Sequence, residues 1–214
     1  MNNLDTEDTK DGNKLPEYYD DPVDLFYKKY IKIINPYFYK LGFTPNFITT
    51  LSLFFGLLTC YLYYKQYYIL SGIFYIISYF FDVMDGYYAR LYDMKSKFGS
   101  YYDIISDLLI IIILFILLVS NKNIKKYKIN VKLFIIILLV IFSIISSYNM
   151  SCQEKYVKMH KNKYLSEALT SFSLQCKDFR IMKYTKYFGT GIGALLISLI
   201  IMSHIFFYKK KIKL

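Results

Sequence analysis

Four aspartates lie at the ends of two neighbouring apolar segments, at spacings that put each pair on one face of a helix. Asp82 and Asp85 are three residues apart at the end of the first segment, and Asp103 and Asp107 are four apart at the start of the second. Residues at these spacings are neighbours on a helix surface. A turn at 93–96 would make the two helices antiparallel, so we expect all four carboxylates to point into one space.

Four carboxylates at close range cannot all stay ionised without compensation, because like charges raise one another's pKa. Hard divalent cations with oxygen ligands supply that compensation. Two such ions about 3.5–4 Å apart are the arrangement used for displacement at phosphorus. Arg90, Lys95 and Lys97 stand nearby and could instead pair with one or two of the acids. The pattern favours a site for two divalent cations, Mg²⁺ or Mn²⁺.

Small residues and an arginine accompany the acids. Gly86 and Ala89 remove side-chain bulk beside the first pair, and Gly99 does so ahead of the second. We expect a flat or bulky ligand to reach the helices there, although small residues also serve close helix packing in membranes. Arg90 lies one turn beyond Gly86 and is suited to holding a phosphate in a bidentate fork.

The elements that must position these residues are membrane-spanning helices. The 214 residues are 55% hydrophobic and 20% charged, whereas a soluble domain carries about 25% charged residues. A span needs about 20 mainly apolar residues. Five segments qualify: 47–64, 67–81 with a continuation to about Leu91, 98–120, 131–148 and 187–208. The sequence therefore predicts an all-α integral membrane protein, a bundle of five to six transmembrane helices.

The N-terminal part is different in character. Residues 1–21 are acidic and lack the apolar core of a signal peptide, so we expect a disordered acidic tail. Within 22–41, apolar residues recur at helical spacing between lysines, which predicts an amphipathic helix on the membrane surface. Pro36 is expected to kink or interrupt it. Residues 42–214 are predicted to form the transmembrane catalytic domain.

The formal charge of +11 first suggests nucleic acid or anionic lipid as a partner. With five spans and a cytosolic N-terminus, all 16 acidic residues fall on the cytosolic side. The basic bias also favours this orientation. The excess charge then reflects an acid-free outer face, so we expect the lipid bilayer and no nucleic acid as a partner. The three cysteines, Cys60, Cys152 and Cys176, are too few for a disulfide scaffold and are expected to be reduced. An endoplasmic-reticulum protein with its site facing the cytosol fits these features.

Written with its spacing, the acidic segment reads Asp82-x2-Asp85-Gly86-x2-Ala89-Arg90-x8-Gly99-x3-Asp103-x3-Asp107. This pattern resembles the signature of the CDP-alcohol phosphatidyltransferase class-I family, with every fixed position filled. The opening of the first span, Thr44-Pro45-Asn46 followed by Ile48-Thr49, also resembles that family. The resemblance covers about 41–118.

The resemblance implies a membrane enzyme that transfers a substituted phosphate from a CDP-linked donor to an alcohol acceptor and releases CMP. It implies that Asp82, Asp85 and Asp103 are metal ligands, and that Asp107 is the general base and also touches a metal. It places the CDP site at Asn46, Gly86, Ala89, Arg90 and Gly99. Because members of the family are commonly dimeric, we expect a homodimer.

Two reactions within the family stay open. In the favoured one, CDP-diacylglycerol donates a phosphatidyl group to a small polar alcohol such as inositol, glycerol phosphate or serine. In the other, CDP-choline or CDP-ethanolamine donates to diacylglycerol. The short chain, and Ile104 where the second group tends to carry histidine, favour the first reaction. The segment 45–49 looks more like the second group.

Other functions and sites are also considered. A non-enzymatic cation-binding transporter would explain buried acids but not the spacing of the glycines, the alanine and the arginine. A prenyl-transferring enzyme would need acid-rich motifs on two distant helix pairs. Four polar residues beyond the fourth span are candidates for the acceptor site, with a solvated helix end as the alternative: Gln153, Glu154, Lys155 and Arg180. His160 and His204 have no partner at metal-ligand spacing and are expected to be structural.

Overall fold

The structure, a computed structural model, describes residues 12–120, 129–161, 176 and 178–212. This part of the chain is helical and contains no strand, which confirms the all-α prediction. The helices are α1 (Pro22–Lys40), α2 (Pro45–Tyr64), α3 (Tyr68–Leu91), α4 (Lys97–Ser120), α5 (Ile129–Lys161), the single turn α6 (Met182–Thr185) and α7 (Thr190–Ile212). Short 3₁₀ turns cover Glu17–Tyr19, Phe179–Ile181 and Lys186–Phe188.

Four helical stretches are long and apolar enough to cross a membrane: α2, α3, α4 and the stretch Phe179–Ile205, which contains most of α7. The chain is therefore an integral membrane protein. The remaining predicted span, 131–148, lies within α5, a helix of 33 residues. Its role as a span stays a prediction.

Local chemistry sets the helix ends that frame the site. Pro22 begins α1, and the Asp21 side chain accepts a hydrogen bond from the Val23 backbone at 2.8 Å. Thr44 caps α2, which also begins with a proline; such prolines suit a first turn whose amides lack partners. Asp93 adopts a left-handed conformation with φ 53° in the turn between α3 and α4. Pro36 lies inside α1 without interrupting it, contrary to one of the two expectations for that residue.

Helix α2 lies at the centre of the bundle and packs against both α3 and α4. Helix α3 also packs against α7, and α1 packs against both α3 and α7. Helices α3 and α4 make little direct backbone contact. Helix α2 therefore connects the two helices that carry the aspartates, because it packs against each of them.

Contacts along α2 and α4 show that the two helices run in parallel. Near their starts, Gly99 faces Asn46. One turn further, the hydroxyls of Thr50 and Tyr102 are 3.0 Å apart. Deeper in the bundle the Ile110 side chain fills the space beside Gly56. This register places the first turn of α2 level with the aspartates of α4.

Two findings differ from the sequence expectations. Residues 12–21 were expected in a disordered tail, yet the structure packs them against the bundle, with Leu15 and Tyr19 buried. Residues 1–11 lie outside the described residues. Cys152 and Cys176 form a disulfide, although the cysteines were expected to be reduced. Cys60 is free and buried.

Candidate active site

The carboxylates of α3 and α4 converge at one end of the bundle. Asp82, Asp85 and Asp103 each place an oxygen atom so that all three atoms lie within 4.8 Å of one another. Asp107 lies close enough to Asp82 for the two negative charges to act on each other. Asp82, Asp85 and Asp103 therefore converge as the helical spacing of the acids predicts, and the place of Asp107 in the cluster stays a prediction.

Helix α2 supplies a buried hydrogen bond to this cluster. The Thr49 hydroxyl lies 2.6 Å from Asp85 Oδ2 and donates to it. The same hydroxyl lies 3.2 Å from the Pro45 carbonyl, one helical turn back. Asp85 is only 5% exposed and Thr49 only 3%. Thr49 therefore fixes the direction in which the Asp85 carboxylate points.

The donor set suits divalent cations. Three carboxylates meet here, and oxygen atoms of this kind are the ligands that Mg²⁺ and Mn²⁺ prefer. Asp103 Oδ1 is buried and has no hydrogen-bond partner, which is costly unless a ligand satisfies it. The ion pairs found among the described residues do not involve these aspartates. The site therefore has the unmet negative charge that a cation would balance.

Two of the small residues lie directly against polar side chains. A Cβ added to Gly86 would lie 3.2 Å from Arg90 Nη1, so the guanidinium rests over this glycine. A Cβ added to Gly99 would lie 2.8 Å from Asn46 Oδ1 and 3.0 Å from Ser96 Oγ. Ala89 is half-buried on α3. Asn46 thus lies beside Gly99, which is far from it in sequence, and Arg90 lies over Gly86; their role in a ligand site stays a prediction.

Arg90 has a partner that the sequence did not indicate. Its Nε donates to the Gly12 carbonyl at 2.7 Å. Asp20, Asp85 and Asp24 lie close enough for their charges to act on the guanidinium. The guanidinium is thus held between the aspartate cluster and the N-terminal residues.

A hydrogen-bonded group of three polar side chains lies next to the aspartates along α3. It consists of Asp24 from α1, Tyr79 from α3 and Thr190 from α7. Tyr79 precedes Asp82 by one helical turn, and its hydroxyl lies 2.7 Å from Asp24 Oδ1 and 2.9 Å from Thr190 Oγ1. Burial, and then the negative charge of Asp21, raise the pKa of Asp24 to about 7. The sequence gives one indication of this group, which is the three-residue spacing from Tyr79 to Asp82 on α3.

The four acceptor-site candidates have other contacts. Glu154 pairs with Lys14 at 2.5 Å, and Lys155 donates to the Cys176 carbonyl at 2.6 Å. Arg180 pairs with Asp178 at 2.9 Å, where both side chains are mostly exposed. Gln153 is half-buried on α5. These contacts join the candidates to the N-terminal residues and the disulfide region, so their acceptor role stays a prediction. His204 is buried, 2.7 Å from the Tyr63 hydroxyl, and the His160 side chain lies outside the described residues.

Together, fold and site define a helical membrane protein with a carboxylate cluster suited to divalent cations. The sequence profile of the family described as CDP-alcohol phosphatidyltransferase matches residues 43–208. The chain belongs to this family. A stretch of 64 residues is 41% identical to archaetidylinositol phosphate synthase of Pyrococcus horikoshii, covering 30% of this chain and 34% of the relative. The chain thus matches about a third of the length of that curated relative.

Proposed function

We propose that this enzyme transfers a phosphatidyl group from CDP-diacylglycerol to a small polar alcohol of the inositol, glycerol phosphate or serine type, with release of CMP. The observation that carries the proposal is the convergence of Asp82, Asp85 and Asp103 within 4.8 Å at one end of two apolar helices. The relative named archaetidylinositol phosphate synthase supports an inositol-type acceptor.

We propose that Asp82, Asp85, Asp103 and Asp107 hold two divalent cations, Mg²⁺ or Mn²⁺. When bound, the ions would neutralise the diphosphate and polarise the phosphorus under attack. The structure supports the proposal through the orphaned Asp103 oxygen and through the Thr49 hydroxyl, which orients Asp85. An oriented ligand shell of this kind strengthens metal binding.

The protein's own residues then account for the rest of the reaction. Asp107 accepts the proton of the acceptor hydroxyl while the alcohol oxygen forms its bond to the phosphorus. The bond from that phosphorus to the CMP oxygen breaks, and CMP keeps the electron pair. The Arg90 guanidinium receives the phosphate charge in a bidentate fork. Asn46, Gly86, Ala89 and Gly99 form the sides of the cytidine diphosphate site.

A test of the function measures CMP release from purified protein in detergent with Mg²⁺ or Mn²⁺. We expect CDP-diacylglycerol and one small alcohol to give turnover that EDTA abolishes. Asp107→Asn should abolish turnover while CDP still binds. Asp93→Asn is the matched control, because Asp93 is exposed in the turn between α3 and α4. Normal CMP release by Asp107→Asn would show that another group is the base.

A second candidate reaction transfers phosphocholine or phosphoethanolamine from CDP-choline or CDP-ethanolamine to diacylglycerol. The segment 45–49 favours it, because it resembles members with that activity. Running both donors with both acceptor classes in the same assay separates the two reactions. Family membership argues against the transporter alternative.

The setting of the reaction is also a proposal. We propose that the enzyme is a homodimer of the endoplasmic-reticulum membrane with its aspartates facing the cytosol. The distribution of acidic and basic residues supports this orientation. Tyrosine, phenylalanine and lysine side chains on the exposed face of α1 support contact with the membrane surface: Phe26, Tyr30, Tyr37, Lys29 and Lys32.

A further inference from the structure

Residues 12–21, which we call the N-terminal strap, pack against the end of α5 and against the residues that precede α7. Leu15 and Tyr19 are buried in an apolar cluster with Cys152, Tyr156, Val157, Cys176 and Met182. Lys14 pairs with Glu154 at 2.5 Å. The Lys186 ammonium donates to the Tyr18 carbonyl at 3.2 Å. Apolar burial and polar contacts together hold the strap in one place.

The strap enters the site through Gly12. The Gly12 carbonyl accepts the hydrogen bond from Arg90 Nε at 2.7 Å. Gly12 has φ +73°, a left-handed backbone conformation that residues with a Cβ rarely adopt. A Cβ here would also lie 3.0 Å from Tyr87 Cζ and 3.1 Å from Leu91 Cβ. Glycine is therefore the residue that allows the strap backbone to approach Arg90.

This contact sets the orientation of the guanidinium plane. A guanidinium presents its donors in a rigid fork, so holding Nε also directs both Nη atoms. Nη1 and Nη2 lie over Gly86, at 3.2 and 3.7 Å from the position of a Cβ. Because the Gly12 carbonyl is neutral, it directs the guanidinium without cancelling its charge. A carboxylate at the same place would direct Arg90 but weaken its attraction for phosphate.

We propose that the N-terminal strap is a positioning element for donor binding: the Gly12 carbonyl aims the two Nη groups of Arg90 at the diphosphate of the CDP-linked donor. Gly12 acts through Arg90 and does not itself touch the donor. The inference rests on the proposed function, in which Arg90 receives the phosphate charge.

The test compares Gly12→Ala with Gly42→Ala. Gly42 has a similar φ of +76° but no atom within 4 Å of an added Cβ, so it matches the backbone penalty without the contact to Arg90. Binding of CDP in the presence of Mn²⁺ is measured by calorimetry on the full chain in detergent. We expect Gly12→Ala to weaken CDP binding about tenfold or more, because loss of one hydrogen bond between charged groups lowers affinity by about that factor. Gly42→Ala should stay within about twofold of wild type.

Two further measurements separate positioning from a general structural role. In the Arg90→Lys background, Gly12→Ala should produce no additional loss of CDP affinity, since the group it positions is gone. In turnover, Gly12→Ala should raise the KM for the donor and leave the KM for the acceptor unchanged. Additive losses in the double variant, equal effects on both substrates, or equal behaviour of the two alanine variants would each overturn the proposal.

Leu15→Ala serves if Gly12→Ala does not fold, because it loosens the strap without adding a side chain near Arg90. It should weaken CDP binding in the same direction and expose the strap to protease at Lys14. Wild-type affinity for CDP with a cleavable strap would also refute the inference. CDP affinity needs no turnover, so this result is independent of the proposed reaction. Failure of that reaction would show instead as absence of CMP release by the wild-type enzyme with every donor.

Discussion

Replacing Thr49 with valine removes one hydroxyl from a buried position and keeps the shape of the side chain. The hydroxyl donates to Asp85 Oδ2 at 2.6 Å, and the two residues are 3% and 5% exposed. A hydrogen bond to a charged group contributes about 1.5–3 kcal/mol, and a buried acceptor without its donor costs a similar amount. Applied to metal binding, that energy corresponds to about a ten- to hundredfold loss of affinity, the range measured for outer-shell partners of metal ligands.

The assay for Thr49→Val is the initial rate of CMP release as a function of Mn²⁺ or Mg²⁺ concentration. We expect the half-saturating metal concentration to rise about ten- to a hundredfold, with recovery of most activity at high metal. Thr49→Ser is the matched control, since it keeps the hydroxyl and loses a methyl group. Thermal unfolding in detergent reports any separate effect on folding. The role of this hydrogen bond would be refuted if the valine variant kept the wild-type half-saturating metal concentration. It would also be refuted if the serine variant, which keeps the hydroxyl, needed as much metal as the valine variant.

Three further substitutions test other parts of the structure. A Cβ at Gly56 would lie 2.7 Å from Ile110 Cγ1, so Gly56→Ala should destabilise the protein by about 1–3 kcal/mol in thermal unfolding, and Ile110→Val should restore part of the loss; no change would mean that α2 and α4 do not pack here. Burial raises the pKa of Asp24 from 3.8 to about 7, so the folded state binds this proton more tightly and its stability falls as pH rises between those values. Asp24→Asn should remove that fall. Its free energy of unfolding should exceed that of the wild type by at most about 4 kcal/mol at pH 8 and equal it near pH 4. Unfolding free energies of the two proteins that change in parallel with pH would contradict this prediction. Cys176→Ser opens a loop whose ends are 24 residues apart and should lower the free energy of unfolding by about 3 kcal/mol in oxidising buffer. Reducing the disulfide of the wild type should cause the same loss, and the reducing agent should not change the stability of the variant.

The parts of the structure that local pattern controls were predictable. Long apolar runs, bounded by Thr44-Pro45 and by the polar turn after α3, predicted α2, α3 and α4. Each run has the length of about 20 apolar residues that a helix needs to cross the hydrocarbon core of a bilayer. The convergence of Asp82, Asp85 and Asp103 followed from helical periodicity. Periodicity acts over one or two turns, so it specifies which side chains share a face.

The parts that depend on distant contacts were not predictable. Arg90 and Gly12 are 78 residues apart, and no repeat or spacing connects them. Residues 12–21 lack an apolar run, so their composition indicated disorder, whereas burial of Leu15 and Tyr19 on a surface made by other segments orders them. The pairing of Cys152 with Cys176 could not be chosen from three cysteines by sequence. The position of α2 beside both aspartate-bearing helices likewise depends on tertiary packing.

The bond between Cys152 and Cys176 provides a chemical marker for the side of the membrane that the aspartates face. The N-terminal strap connects the disulfide to the aspartate cluster, because Leu15 packs with the disulfide and Gly12 contacts Arg90. The cysteines and the aspartates therefore lie on the same side of the membrane. A reducing compartment keeps such a pair as thiols, and an oxidising one keeps it bonded. The proposed orientation, with the aspartates facing the cytosol, therefore requires Cys152 and Cys176 to be free thiols in intact cells, whereas the disulfide of the structure requires the opposite orientation. Trapping free thiols in intact cells before lysis separates these two orientations.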